Sequence, residues 1–493
     1  MSSAEQTAAS AASSTTEELN LLDQIVAATK PQSSQEADRA KTYFQQFLDK
    51  VVEPGQVVSK DVETNIKFWI GEIDKKLSTQ LNEIMHHEDF QKLESTWRGL
   101  HYLVHQSETG QNLKIRVLNV SKKDLLKDLE KAAEFDQSAL FKKIYEEEYG
   151  QLGGQPYGML VGDYEFGRSP EDISLLKMVS NVAAAAHAPF ISAANPKMFN
   201  FERFTELGNP RDLAKIFDSV EYAAWKSFRE SEDSRFVGLT LPHVLGRLPY
   251  GQDFKPVEEF NFEEFVDGKE HDKYLWMNAA WAYAARMTDT FAKNGWFAAS
   301  RGVMGGGKVE GLPVHTFPTD DGDIAMKCPT EIAITDRREF ELSNLGFLPL
   351  LHAKGTDFSV FMSAQSAQKP KTYFEPDANA NAELSAKLNL IMCTSRFAHY
   401  LKVMARDRIG SFMETAQCAE WLNRWIGNYC CDPSGASDET KAKYPLSEAR
   451  VDVQPVAGRP GWYEAVAYLR PHFQLETLTT SLRLVAEVPK RGA

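Results

Sequence analysis

No stretch of this chain approaches the roughly 20 apolar residues that a membrane-spanning helix needs, and the N-terminus lacks the basic and apolar regions of a secretory signal. These absences predict a protein made and kept in the cytosol, with no membrane insertion. Cysteine is scarce: Cys328, Cys393, Cys418, Cys430 and Cys431 are five among 493 residues, an odd number without a matched pair of C-x-x-C motifs. That argues against a disulfide framework. The adjacent Cys430 and Cys431 have no histidine near them in sequence, so the thiols read as buried structural groups. Positive charge is in deficit, with 55 Lys and Arg against 69 Asp and Glu for a net charge of -14, and no basic patch of useful length stands out. Nothing in that balance favours nucleic acid or anionic lipid.

Catalytic constellations are missing too. Gly302 to Lys308 in GVMGGGKVEG fits the opening of a phosphate-cradling loop, but Val309 stands where a magnesium-holding Ser or Thr is required. Gly311 and Pro313 forbid the helix whose N-terminus would bind the phosphates, so the stretch reads as a glycine-rich surface loop. TDDGD, residues 319–323, lacks the bidentate Glu of a calcium loop and reads as a tight acidic turn. His101 and His105 share a helix face without a third ligand, and His86 and His87 point apart. No G-x-S-x-G marks a nucleophile elbow. The expectation is no enzyme activity, no metal and no cofactor.

What is present is structural. At 43% hydrophobic and 25% charged, the composition is globular, with core enough for two to four domains. Residues 1–16 are low in complexity and read as a disordered tail. Over residues 17–30 the stretch TTEELNLLDQIVAATKPQ has the grammar of a helix: Thr15 precedes Glu18 by three as in a capping box, and Pro31 stops the run. Leu19, Leu22, Ile25 and Val26 fall on one face. A helix of about 14 residues is marginal alone, and linker-like sequence on both sides marks it as a detachable motif that folds in another protein's groove.

Residues 31–106 follow a helical period, with Ile66, Trp69, Ile73 and Leu77 in one long stripe. Over 107–375, apolar runs that read as buried strands (LKIRVLNV, YGMLVGDY, PFISAA, FVGLTLP, EIAIT) alternate with helical patterns, which predicts mixed α/β layers. Pro370, Pro376 and DANANAE mark a boundary near 375. Residues 376–493 then hold two helices, the alternating strands ARVDVQPV and WYEAVAYL around AGRPGW, and a last strand in TSLRLVAEVP. In the helix CAEWLNRWIGNY, Trp421, Leu422, Trp425 and Ile426 form a packing stripe, while Glu420 and Arg424 pair outward. Partner-seeking helices at one end and strands with edges to cover at the other describe a subunit of an assembly.

Four stretches then carry a resemblance: YPLSEARVDVQPVAGRPGWYEAVAYLRPHFQLETLTTSLRLVAEVP, KCPTEIAITDRREFELSNLGFLPLLHAKGTDF, VGDYEFGRSPEDISLLKMVSNVAAAAHAPFISAANP and SRFAHYLKVMARDRIGSF. They closely resemble the large sheath subunit of bacterial type VI secretion systems, the TssC/VipB family, over residues 35–488. The resemblance implies a phage tail sheath-like fold of α/β layers, with a helical N-terminal region and a C-terminal strand-exchange sheet. It implies a structural subunit of a contractile sheath in the bacterial cytoplasm. The partners implied are a small sheath subunit (TssB/VipA type), neighbouring copies, an inner tube (Hcp type), a baseplate and a ClpV-type AAA+ ATPase that dismantles contracted sheath. By that resemblance Leu19, Leu22, Ile25 and Val26 meet the ATPase, and Ile66, Trp69, Ile73 and Leu77 meet the small subunit. Glu420 and Arg424 face the tube, and Arg483, Leu484, Val485 and Ala486 enter the exchanged sheet. Two other readings stand beside it, a phage-derived tail sheath without a small partner and a P-loop-like nucleotide-binding enzyme.

Overall fold

In the computed structural model of the protein, the described residues are 26, 30–31, 33–51, 62–209, 211–411, 413–459 and 461–475. They divide into two compact units, residues 1–90 with 248–274, and residues 91–247 with 275–493.

The smaller unit contains the helices α1 (Ser34–Val51) and α2 (Val62–Met85). Trp69, Ser78 and Asn82 are buried on α2. Asn82 satisfies the irregular segment that packs there: its amide donates to the Glu263 carbonyl at 2.8 Å and its oxygen accepts from the Phe265 N–H at 2.9 Å. A buried polar side chain is tolerated because it completes backbone that has no strand partner.

The larger unit is organised by a six-stranded sheet. Its strands are β1 (Leu160–Phe166), β2 (Phe190–Ala194), β3 (Val237–Leu241), β4 (Lys308–Val309), β5 (Leu348–His352) and β6 (Ser359–Phe361), in the order β1-β2-β3-β5-β6-β4. The first four in that order run parallel, and β6 is antiparallel to both β5 and β4. Every residue of β2 and β3 is buried, so they read as continuous apolar runs, as expected of parallel strands covered on both faces. Neighbours along a strand serve opposite layers. Phe190 joins a core containing Val179 and Val182 of α5 (Pro170–Ala185), whereas Ile191 joins one containing Ala280, Tyr283 and Met287 of α6 (Ala279–Asn294). Helix α5 starts as its sequence says, with Ser169 accepting from the Asp172 N–H ahead of Pro170. The helices α3 (Glu88–His105) and α4 (Lys122–Lys131) flank the irregular stretch 113–120. Late in the chain come α7 (Leu388–Asp407), α8 (Thr415–Gly427) and the antiparallel hairpin β7 (Leu446–Pro455) and β8 (Tyr463–Pro471).

Two expectations need correction and a third needs refinement. EIAIT is not a strand: it is irregular and leads into the helix Asp336–Asn344, and its buried Glu331 is drawn into an ion pair with His243. LKIRVLNV has no regular secondary structure and is not buried, with Val117 70% exposed. GVMGGGKVEG is a surface loop at Val303 and Met304, both exposed, but its ends are anchored: Gly302 N–H donates to Phe361 C=O at 2.7 Å and Phe361 N–H donates to Gly307 C=O at 3.0 Å, tying the glycines to the sheet. TDDGD does form an acidic turn, between the short strands Thr316–Pro318 and Ile324–Met326, with Gly322 at φ +84°.

Candidate assembly surfaces

The C-terminal hairpin is built on α8. It pairs from Leu446 opposite Pro471 to Pro455 opposite Tyr463, and its turn closes through Val456 N–H to Trp462 C=O at 2.8 Å. Leu422 and Ile426 of α8 bury against Val451, with Ala449, Ala467 and Leu469 around them. Period-two alternation therefore turns Val466 and Tyr468 outward, where both are exposed. The two edges differ. On β7 the Asn423 amide donates to Val451 C=O at 2.7 Å and its oxygen accepts from Val451 N–H at 2.8 Å, occupying the place of a further strand. Along residues 463–469 of β8 no side chain does the same among the described residues, so the open edge is that of β8.

A second surface lies beside β1, the terminal strand of the large sheet. Lined by β1 and the stretch 113–120 is a groove of about 1400 Å³, walled by Leu93 and Trp97 of α3, Val117, Leu118, Val161 and Phe291. Thr96 of α3 donates to the Asp163 carboxylate at 2.6 Å, and Trp281 Nε1 donates to the same group at 3.2 Å. Burial holds the Asp163 carboxyl above its ordinary value, with the Thr96 and Trp281 bonds pulling it back. The close approach of α3 depends on Gly99, where a Cβ would stand 2.3 Å from the Trp281 ring. The stretch 113–120 is pinned at both ends. Lys114 reaches Gln155 at 2.9 Å and Arg116 pairs with Glu148, while Tyr164 Oη donates to Val120 C=O at 2.8 Å. Between those pins the backbone of residues 114–120 makes no backbone–backbone hydrogen bond among the described residues.

The sequence-predicted residues are scattered. Leu19, Leu22 and Ile25 lie outside the described residues, as do Arg483, Leu484, Val485 and Ala486; Val26 is helical and buried. In the α2 stripe, Trp69 is only 6% exposed and Ile66 and Ile73 are half-buried, while Leu77 faces solvent. A Trp69→Ala change therefore removes intrachain packing and does not isolate a partner contact. Arg424 donates to Glu420 at 2.7 Å with both side chains largely exposed. Neither Asn423 nor the groove was found by sequence reasoning; the one signal was the alternation of LKIRVLNV, which promised a paired strand. Lys308, the lysine of the P-loop-like stretch, pairs with Glu310 and lies over the Phe358 ring at 4.4 Å.

The family profile "EvpB/VC_A0108, tail sheath N-terminal domain" matches residues 67–368, and "EvpB/VC_A0108, tail sheath gpW/gp25-like domain" matches residues 377–488. Over 463 residues the chain is 54% identical to the type VI secretion system sheath protein TssC1 of Pseudomonas aeruginosa, covering 93% of each. Among solved structures, a chain of the anti-feeding prophage baseplate aligns over 76% of this chain and 84% of its own, at 9% identity and a TM-score of 0.37. A chain of the same prophage's contracted helical sheath aligns over 64% and 75%, at 10% identity and 0.31. With tail-sheath profiles spanning both the large sheet and the terminal hairpin, and one residue in two shared with TssC1 along nearly the whole length, the chain belongs to the VipB tail-sheath family of type VI secretion sheath proteins.

Proposed function

We propose that this sheath protein acts without catalysis in the bacterial cytoplasm, co-assembling with a small TssB/VipA-type subunit into a helical tube around an inner tube of hexameric rings. The tube docks on a baseplate and contracts to expel its contents, and a ClpV-type ATPase then recycles it. The observation that carries the reading is the near full-length identity to a sheath protein. The half-covered hairpin adds support, because a strand blocked by Asn423 on one side and open on the other suits head-to-tail addition of strands between subunits. Co-expression with the small subunit, followed by electron microscopy, is expected to show co-purification and tubes. Tubes formed by this chain alone would favour a sheath without a small partner, and soluble monomers under both conditions would sink the assembly reading.

Two surface assignments follow from the same reading. Replacing Leu22 and Ile25 by Asp puts charge on a face meant for an apolar groove, where unpaired burial costs several kcal/mol. Sheaths of the double variant are expected to assemble and contract but to persist unrecycled in time-lapse imaging; loss of tubes with ATPase binding retained would assign the motif to the body. Reversing the α8 pair, Glu420→Lys with Arg424→Glu, conserves an exposed ion pair worth about 0.3 to 0.5 kcal/mol, so the chain should fold and polymerise as before. If this face reads the tube, charge complementarity sets its register, and tube-filled extended sheaths should become rare. Normal filling would leave α8 with its packing role alone.

A further inference from the structure

We propose that residues 476–482 of this chain fold back in cis onto an apolar patch formed by Val303, Met304, Phe473 and Leu475, parking the C-terminal segment until a neighbouring subunit takes it; the parking role rests on the strand addition between subunits read above. The patch is built around a polar clamp. The buried Arg301 donates through Nε to Gln474 Oε1 at 3.1 Å and through Nη2 to the carbonyls of Gln474 and Leu475 at 3.2 and 3.3 Å. The buried Asn389 amide donates to the same Gln474 oxygen at 3.3 Å. Gly305 lets the two segments close up, since a Cβ there would stand 2.8 Å from Gln474 Nε2 and 2.4 Å from the Arg301 carbonyl oxygen. The clamp thus fixes residues 473–475 beside the tip of the glycine loop, while the apolar side chains next to it stay uncovered. Met304 is 94% and Leu475 75% exposed, and Val303 and Phe473 are exposed as well. Apolar side chains left open on two segments that are otherwise tied down, one of them a pliable methionine, mark a surface awaiting protein.

The occupant is this chain's own continuation, because the described residues stop on the patch itself. Leu475 belongs to the patch, and Leu478 follows within about 11 Å of extended chain. In sequence, leucines recur at 475, 478 and 482, an i, i+3, i+7 spacing that sets three on one side of a helical turn with Glu476, Thr477 and Thr480 turned away. So short a tether costs little closure entropy and holds the leucines at an effective concentration in the millimolar range. A second copy has no such tether and must also give up its translational and rotational freedom. While residues 476–482 lie on the patch, the strand-forming run LRLVAEV is kept at its own body. The apparent affinity of a neighbour for that run then falls by the fraction of chains in which it is free.

The test is cross-linking of the full chain carrying Met304→Cys and Leu478→Cys with a short bismaleimide, in an equal mixture of isotope-labelled and unlabelled protein. Cross-linked peptides joining positions 304 and 478 are expected to carry one isotope only, the mark of a contact within one chain. Mixed-isotope peptides would give the patch to a second copy, and absence of the link when both single variants react fully with maleimide would leave the patch uncovered; either result overturns the inference. Met304→Asp changes a side chain that touches little of the body, so folding should be intact. Amides 476–482 of that variant should exchange about 10-fold faster in the chain alone, and the lag of tube formation with the small subunit should shorten about 10-fold. Unchanged exchange would overturn the cis contact, and faster exchange with an unchanged lag would overturn its parking role. Absence of tubes from wild-type chain and small subunit together would strike the sheath reading, with the cross-linking still deciding the contact.

Discussion

Replacing His243 by leucine is expected to destabilise the larger unit by about 3 to 5 kcal/mol, the cost of stripping the counter-charge from the buried Glu331 carboxylate. His243 Nδ1 lies 2.6 Å from Glu331 Oε2 and Nε2 lies 2.9 Å from Glu165 Oε1. Ionised carboxylates only accept, so both ring nitrogens must donate and the ring is an imidazolium. Burial opposes that charge, but the attraction and hydrogen bonds of Glu165 and Glu331 outweigh it and push His243 up to about 10. For Glu165, burial raises the carboxyl, and the charge and hydrogen bond of His243 bring it below its ordinary value. The cluster ties the end of β1 to the turn after β3 and to the stretch where EIAIT fails as a strand, with Glu331 Oε1 also accepting from the Phe204 N–H at 3.2 Å.

The pH dependence has a definite sign. A histidine raised on folding contributes fully below its unfolded value of 6.5 and loses that contribution as pH rises through about 10. A glutamate lowered on folding contributes above its unfolded value of 4.5 and loses it as pH falls below. Denaturant midpoints of wild type and His243→Gln should therefore differ most between about pH 5 and 6.5 and converge toward pH 10. A gap that stays constant from pH 6 to 10 would show that packing, and not charge, is what His243 supplies.

The second large effect is expected at Gly307. A Cβ there would stand 2.5 Å from the Phe361 carbonyl oxygen, 2.7 Å from the Gly302 nitrogen and 2.8 Å from the Arg301 Cα. All three are backbone atoms, so no rotamer change relieves the clash, and the link of β4 to β6 must distort. Gly307→Ala should cost ~3 kcal/mol, at the upper end of overpacking. It should lower the unfolding temperature by about 4 °C or more. Gly322→Ala is the control: its acidic turn leaves open space around the site, so only the φ of +84° is at stake and about 1 kcal/mol is expected. Equal effects at the two sites would mean that the loop yields where the static geometry says it cannot.

Local signals were legible in the sequence, and long-range pairings were not. Ser169 and Pro170 set the start of α5 locally, and the glycines of AGRPGW announced the hairpin turn, because capping and turn geometry are settled within a few residues. The runs behind β2 and β3 were visible because strands covered on both faces are apolar throughout. The His243 cluster was invisible, since its partners lie 78 and 88 residues away in the chain. LKIRVLNV misled for a different reason: an apolar run reads as a buried strand whether or not the fold covers it, and Val117 and Leu118 are exposed. The anchoring of the glycine stretch before Lys308 was not legible because close backbone approach and an exposed turn call for the same residue.

The order of the large sheet also fixes when it can close. β3 and β5 are neighbours through Thr240 opposite Leu348, roughly a hundred residues apart in the chain. Parallel pairings over such separations are slow to form, because the intervening loop must be ordered first. On the ribosome β1, β2 and β3 emerge long before β5 does, and the inner edge of β3 waits uncovered while α6 and the glycine stretch are still being made. A nascent chain stalled before residue 348 should therefore be the most aggregation-prone stage of synthesis, and holding chaperones should engage it there.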